Sequence, residues 1–435
     1  MTHPAPPDGH SPRRAWAAVG LLAVVGTLNY ADRFLPAVLA EPIKQDLDLS
    51  DTEIGIINGF GFLVVYAVLG IFIARISDRG AFGLVVSACL TLWGAMTVLG
   101  GWVQSGFQLV LTRVGVAVGE AGSTPAAHAY VARNFAPHRR AAPLAVITLS
   151  IPLASAASLI GGGLLAESLG WRSAFIVMGV ISILVAPLVL VVLGPRQSLP
   201  AEPAPAAVAD TTRWWDLLSK PSYRAIVAGA ACVSFAGYSL TTFAPAFLMR
   251  GRGMSLGEVA WQYGVASGVT GILGLLLLVG RLADRLSGRD PRWLLWLVAA
   301  MTAAMVPFSV AALLVDNSAA TVWCLALAYV IGTAYMAPSI AAIQRLVRPE
   351  QRATASAIFL FFSAIIGSAG PLLTGMISDA LLESLGAMAL ERALFVVPVV
   401  QVLAIACYLW ASRRFTREII DEPSVVAAEA ESLRQ

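Results

Sequence analysis

Charge is what this sequence has least of. Lys, Arg, Asp and Glu make up 13% of its 435 residues, where about 25% is usual for soluble domains. That is too little to cover a soluble surface of this size, and it excludes almost any soluble enzyme. A disordered chain, which needs charge and few apolar residues, is excluded as well. Cysteine is equally scarce. Cys89, Cys232, Cys324 and Cys407 stand singly in apolar runs, with neither metal-ligand spacing nor a disulfide framework. No G-x-x-x-x-G-K-[ST] loop occurs, so a primary ATP pump is excluded unless a partner chain carries the ATPase. A net charge of +3 offers no basic field for nucleic acid. Neither nucleic acid, metal nor organic cofactor is expected, and no enzymatic activity.

Apolar residues take the place of the missing charge: 58% of the chain is hydrophobic, and its mean hydropathy is +0.77. Twelve apolar runs can be drawn, at about 15–40, 52–76, 82–103, 106–134, 140–167, 171–194, 221–249, 256–281, 292–315, 319–346, 353–381 and 388–412. Each supplies the roughly 20 residues that cross a bilayer. None alternates apolar and polar residues with a period of two, so helices are predicted and not barrel strands. The expected fold is an all-α membrane protein of twelve transmembrane helices. It divides into a tail (1–14), a six-helix bundle (15–194), a linker (195–220), a second six-helix bundle (221–412) and a tail (413–435). The linker ends in Arg213, Trp214, Trp215 and Lys220, an interfacial anchor. Lys and Arg number 22 on the side carrying the tails and the linker, and 5 on the other. This asymmetry puts both termini and the linker in the cytoplasm. The loop between the first two spans is acidic (Glu41, Asp46, Asp48, Asp51, Glu53) and is expected to be an outer mouth for cations or protons.

The two halves repeat. Gly119-x5-Pro125 in the fourth span returns as Gly332-x5-Pro338 in the tenth, and Arg139 returns at the same offset as Arg352. Glu167–Ser168–Leu169–Gly170 returns as Glu383–Ser384–Leu385–Gly386, and Asp78–Arg79 as Asp284–Arg285. Four matches in one order indicate a parallel six-plus-six repeat. That is the plan of major facilitator transporters, whose substrates bind near the midplane between the halves. The loop Gly280–Arg281–Leu282–Ala283–Asp284–Arg285-x-x-Gly288–Arg289 resembles the loop signature of that superfamily, and Ala74 to Gly80 is a degraded copy. Asp78, Arg79, Arg281, Asp284 and Arg285 are therefore expected to form a cytoplasmic gate, in which a carboxylate caps or pairs with a neighbouring helix and latches the inner face.

Four ionisable residues lie inside spans: Asp32 and Arg33 in the first, Arg113 and Glu120 in the fourth. An uncompensated charge at that depth costs at least ~2.5–3.5 kcal/mol, so such residues are functional candidates, with static ion pairing the alternative. Arg113 and Glu120 are seven apart and share a helix face. At about 1.5 Å per residue, Asp32, Arg33 and Arg113 fall at similar depth, with Glu120 about one and a half turns deeper. An arginine moving between two carboxylates would couple protonation to conformation, because a carboxylate's proton occupancy depends on whether an arginine stands beside it. Asp32, Arg33, Arg113 and Glu120 are assigned to proton coupling, with the proton as coupling ion. Adjacent residues diverge by about 100° on a helix, so one of Asp32 and Arg33 is expected to face the fourth span and the other the cavity or the seventh. The second half carries no comparable buried charge. Its inward candidates are Tyr238 and Thr241 in the seventh span and Phe359 and Phe362 in the eleventh. Together with Asn29, Tyr30 and Arg33 they are expected to bind substrate. A charged lobe facing an apolar one suits an amphiphile.

Several segments together are similar to the spinster family within the major facilitator superfamily. They are Asn29–Tyr30–Ala31–Asp32–Arg33, Arg113-x5-Gly119–Glu120–Ala121-x3-Pro125, Ile151–Pro152, Gly170–Trp171–Arg172-x-Ala174–Phe175 and Gly253–Met254–Ser255–Leu256. Anion:cation symporters of the same superfamily also carry the first two. The spinster resemblance implies a proton-coupled secondary transporter of lysophospholipids or sphingoid-type lipids, working by alternating access, with export the expected direction. The alternatives are a symporter of small organic anions that uses Arg33 and Arg113 as carboxylate clamps, a multidrug efflux antiporter, and a non-transporting scaffold. The buried charges in both the first and fourth spans argue against the last. A membrane lipid or amphiphilic small molecule and protons are the expected partners, and a monomer the expected functional unit. Twenty-seven of the 29 basic residues are Arg, which points to a GC-rich bacterial source and so to an inner membrane.

Overall fold

The computed structural model describes residues 12–62, 65–66, 81–136, 139–194, 214–278, 286–329, 335–348 and 351–420. Among these every regular element is helical. Among the described residues seven helices are long and apolar enough to cross a membrane. The expected gate residues Asp78, Arg79, Arg281, Asp284 and Arg285 lie outside the described residues, as do most of the linker and most of both tails.

Long apolar stretches run as single helices, through Pro36 in the first span, Pro187 in the sixth and Pro245 in the seventh. They include the first span (Pro12–Val38), the third (Phe82–Gly100), the sixth (Trp171–Leu193), the seventh (Pro221–Arg252) and the twelfth (Val396–Glu418). The fourth span is in two pieces, Gly106–Glu120 and Ser123–Asn134. Pro125 is the third residue of the second piece, where its missing N–H has no intrahelical acceptor to lose. The second, fifth and eighth spans each contain one turn of π-helix, at Ile56–Phe60, Ser158–Gly162 and Val259–Tyr263.

The outer starts of the second and eighth spans repeat in detail. Asp48 (φ 51°) and Gly253 (φ 64°) both take the left-handed conformation, which glycine adopts freely and aspartate tolerates. One apolar residue follows, then an N-cap serine, Ser50 or Ser255. Each serine accepts the backbone N–H three residues on, and the glutamate there, Glu53 or Glu258, accepts the serine's own N–H. Both spans therefore begin with the reciprocal capping box.

Among the described residues there are three hydrophobic cores. One runs through the outer ends of both halves, from Leu35, Leu39 and Ile54 to Phe243, Leu248 and Tyr263. The other two lie at the inner ends, one centred on Trp93, Tyr130 and Val189, the other on Tyr223, Phe359 and Tyr408. The halves meet at the outer face, where the second span packs on the eleventh and the fifth on the eighth. Small residues allow the approach: a Cβ on Gly55 would run into the backbone of Pro371, and one on Gly163 into Ala260. The acidic first loop, expected to be an outer mouth for cations or protons, is part of this closure. Glu41 and Asp51 are buried, bound by Arg250 of the second half, with Lys44 also on Asp51. Desolvated carboxylates need cationic partners, and these turn the loop inward.

Candidate functional site

Burial forces the four intramembrane charges into pairs. Glu120 is wholly buried, and the side chains of Asp32 and Arg113 are 2% and 3% exposed. Arg33 Nε donates to Glu120 Oε2 at 2.7 Å. Arg113 Nη1 lies 3.5 Å from Asp32 Oδ2, an ion pair longer than a direct hydrogen bond. The single arginine expected to serve both carboxylates is thus two arginines with one carboxylate each, both pairs joining the first span to the fourth. Asp32 and Arg33, one expected on the fourth span and the other on the cavity or the seventh, both find partners on the fourth, the long Arg33 side chain reaching Glu120. Arg33 is the more open of the two, at 15%. Arg113 and Glu120 share a helix face but are paired to different partners.

Two further elements complete the cluster. Thr97 of the third span places its hydroxyl 2.8 Å from Asp32 Oδ2 and 2.9 Å from the Trp93 carbonyl. Its one proton serves one acceptor at a time. The Arg33 guanidinium lies 4.1 Å from the Tyr66 ring centroid, 5.0 Å from Tyr30 and 5.1 Å from Phe62. Arg113 is 5.1 Å from the same Phe62 ring. Cation–π contacts in desolvated sites are each worth up to ~2 kcal/mol, so Arg33 is held by rings as well as by its carboxylate. Among the described residues, one oxygen of each acid, Asp32 Oδ1 and Glu120 Oε1, is buried without a hydrogen-bond partner, as are Arg33 Nη2 and Arg113 Nε. Buried polar atoms are normally satisfied. The cluster therefore keeps acceptor capacity for protons and donor capacity for a ligand.

The expected substrate residues separate into two groups. Asn29 donates to Ser123 Oγ at 3.2 Å, tying the first span to the break in the fourth. Tyr30 lies beside Arg33 and stacks on Phe34. Tyr238 of the second half packs against the core of the first. Thr241 lines a narrow cleft of about 20 Å³ between the halves, with Phe34, Ser155, Tyr263 and Tyr329. Asn29 stays inside the first half, whereas Tyr30, Tyr238, Thr241 and Arg33 converge on the seam. Phe359 does not: it is wholly buried in the inner core of the second half, where rotation of the eleventh span turns it away from the seam. Phe362 packs at the margin of that core, edge-on to Phe361.

Sequence reasoning missed Thr97, Phe62 and Tyr66. A threonine in an apolar span back-bonds to its own helix as readily as it serves a neighbour. The i, i+4 spacing of Phe62 and Tyr66, whose rings stack at 6.0 Å, was the available signal. It missed Arg250 as well, counting it only toward topology.

Residues 22–371 match the Major Facilitator Superfamily. A protein of Mycolicibacterium smegmatis named MFS-type efflux pump is 68% identical over 418 residues, 95% of this chain and 96% of that protein. Protein spinster homolog 1 of Homo sapiens is 28% identical over 404 residues, 86% of this chain and 75% of that one. Among solved structures, a bacterial homolog to the human lysosomal transporter Spinster, inward-facing and unoccupied, matches with a TM-score of 0.83 at 28% identity, covering 95% of this chain and 100% of its own.

Proposed function

This chain belongs to the Major Facilitator Superfamily, and we propose that it is a proton-coupled exporter of a lipid-like or amphiphilic molecule. It is a multi-pass transporter of the inner membrane and not an enzyme. The observation that carries the coupling is the pair of buried ion pairs, Arg33–Glu120 and Arg113–Asp32, each with an unpartnered carboxylate oxygen. A proton on either acid weakens its pair and frees an arginine to rearrange or to meet a substrate's polar head. The less charged seam beyond, with Phe34, Thr241, Tyr263 and Tyr329, suits an apolar tail. Alternating access by rocking of the two halves follows from the paired bundles. The spinster resemblance of the sequence motifs implies a lipid. A second reading is efflux of amphiphilic drugs; the name of the Mycolicibacterium relative supports efflux and specifies no substrate.

Both are tested in proteoliposomes under an imposed pH gradient, with a lysophospholipid, a sphingoid base and an amphiphilic cationic dye offered separately. Proton coupling requires that each transported compound move protons in return, read by an entrapped pH dye. Gradient-independent flux, or flux without proton movement, refutes it. The compound transported decides between lipid and drug.

A further inference from the structure

Each half closes the outer face with a carboxylate that caps a helix of the other half. The first-turn N–H groups of a helix have no intrahelical acceptor, and their partial positive charge favours an anion. At the start of the second span, Asp51 N–H and Thr52 N–H donate to Asp379 Oδ1 and Oδ2 of the eleventh span at 3.0 and 2.8 Å. The Thr52 hydroxyl adds a third bond at 2.5 Å. At the start of the eighth span, Gly257 N–H donates to Glu167 Oε1 of the fifth span at 3.1 Å. Thr52 and Gly257 stand at the same offset, two residues beyond the N-cap serines Ser50 and Ser255. The eleventh span repeats the fifth and the eighth repeats the second, so the two caps are related by the pseudo-symmetry of the fold. The acid repeating Glu167 in sequence is Glu383, but the cap is Asp379, one turn earlier.

A charge hub sits on the first of these caps. Arg250 grips both oxygens of Asp51 at 2.9 Å and also bonds Glu41. Ser378, next to Asp379, donates to Asp51 Oδ2 at 2.7 Å, and Lys44 to Oδ1 at 2.6 Å. Among the described residues, the ion pairs bridging the halves are those of Arg250 with Glu41 and Asp51. Glycine makes room on both sides: a Cβ on Gly375 would meet the Asp51 backbone, and one on Gly257 the Glu167 carboxyl.

We propose that Asp379, Glu167 and Arg250 form the outer gate of the transporter: two reciprocal inter-bundle caps and one charge hub, all of which must release for the outer face to open. These bonds involve helix starts and charged groups that water can satisfy once the face opens, so the gate is reversible. Asp379 carries three cross-half bonds and Glu167 one, so the second-span side is the stronger latch.

The test is a distance measurement between spin labels at Gln104 and Asp316, exposed outer positions in the first and second halves, with the four native cysteines replaced by alanine. It is made without substrate or pH gradient, so it stands or falls apart from the proton and lipid reading even though it rests on alternating access. Asp379→Ala and Arg250→Ala, which each remove several charged bonds, are expected to raise the population of the long-distance state by more than tenfold, the scale of a single charged hydrogen bond. Glu167→Ala should give a smaller rise, and Asp379→Glu should retain part of the closure. Asp46→Asn is the control: it removes the Asp46–Arg172 pair, which lies on the same outer surface but wholly within the first half, and distances should not change. Folding is checked by monodispersity and by native labelling at the inner ends. Unchanged distributions in the Asp379→Ala, Arg250→Ala double variant, or an equal shift in Asp46→Asn, overturn the proposal.

Discussion

Replacing the Arg33–Glu120 pair by apolar residues separates stability from coupling. Breaking a buried ion pair from one side costs about 3–5 kcal/mol, because it strands the other charge. In Glu120→Gln the stranded Arg33 keeps three aromatic rings within 5.1 Å, and the glutamine carbonyl still accepts a hydrogen bond. Its loss should fall at the low end, about 3 kcal/mol. In Asp32→Asn the stranded Arg113 is 3% exposed, has one ring nearby, and already lacks a partner for Nε. That loss should fall near the top of the range, about 5 kcal/mol. Removing both members of a pair is different. Arg33→Met with Glu120→Leu leaves no buried charge, and such exchanges run from neutral to stabilising by about 1–4 kcal/mol. Thermal unfolding of the purified protein should therefore rank Asp32→Asn lowest and Glu120→Gln next, the latter down by roughly 3 °C. The double variant should lie at or above the parent. In proteoliposomes that same well-folded double variant should no longer move protons with substrate. Full proton-coupled transport by it would show that the pair is only structural, and a reversed order of the two single variants would show that the rings do not hold Arg33.

Two other outcomes follow from the packing and the charge. Gly55→Ala should favour the outer-open state by about 1–3 kcal/mol, because the new Cβ meets the Pro371 backbone across the seam and overpacking of that kind carries such a penalty. Gly94→Ala, whose Cβ meets Gly179 within the first half, should lower thermal stability without shifting outer distances, and equal distance changes in the two variants would refute the distinction. Burial pushes the Asp51 carboxyl up, but hydrogen bonds and charge from Arg250, with Lys44 and Ser378, outweigh it and bring it from 3.8 down to about 2. A carboxylate lowered on folding contributes fully above its ordinary value and is lost only as pH falls through the lowered one. The latch should thus be at full strength above about pH 4 and fade toward about pH 2, with Glu41, Asp379, Lys44 and Arg250 as its charged neighbours. Asp51→Asn should accordingly open the outer face by the same factor at about pH 8 and about pH 5, and an effect that vanishes at the lower value would mean Asp51 titrates in that range.

Fold and site differ in how far one chain of letters discloses them. Twelve spans, their division and their orientation rest on length, hydropathy and the placement of arginines, all of which are properties of single segments. Asp32, Arg33, Arg113 and Glu120 stand out for the same reason, each being a charge where charge is costly. Which arginine meets which acid depends on rotation of the first span against the fourth and on the break at Ala121–Gly122, and a rise of about 1.5 Å per residue does not resolve that. Phe62, Tyr66 and Phe359 are the same kind of residue in the same kind of helix. Two ring a guanidinium and the third fills a core, and helix rotation alone separates them. The outer gate was hidden differently. Asp51 and Asp379 are 328 residues apart, and their contact depends on an aspartate meeting backbone N–H groups, which leave no mark in a side-chain pattern.

The composition of the buried cluster also has an electrical consequence. Arginine does not lose its proton in a protein, so the cluster holds two fixed positive charges and two carboxylates that can be neutralised. With both acids ionised it is neutral, and each proton taken up adds one positive charge to the first bundle. If the halves rock with that proton aboard, a net charge is carried part of the way through the bilayer. The membrane voltage then acts on the protein directly, at about 2.3 kcal/mol per charge per 100 mV for a full crossing. A cell-negative potential would draw the protonated cluster toward the cytoplasm and so hasten the return stroke of the cycle, whatever molecule the outward stroke carries.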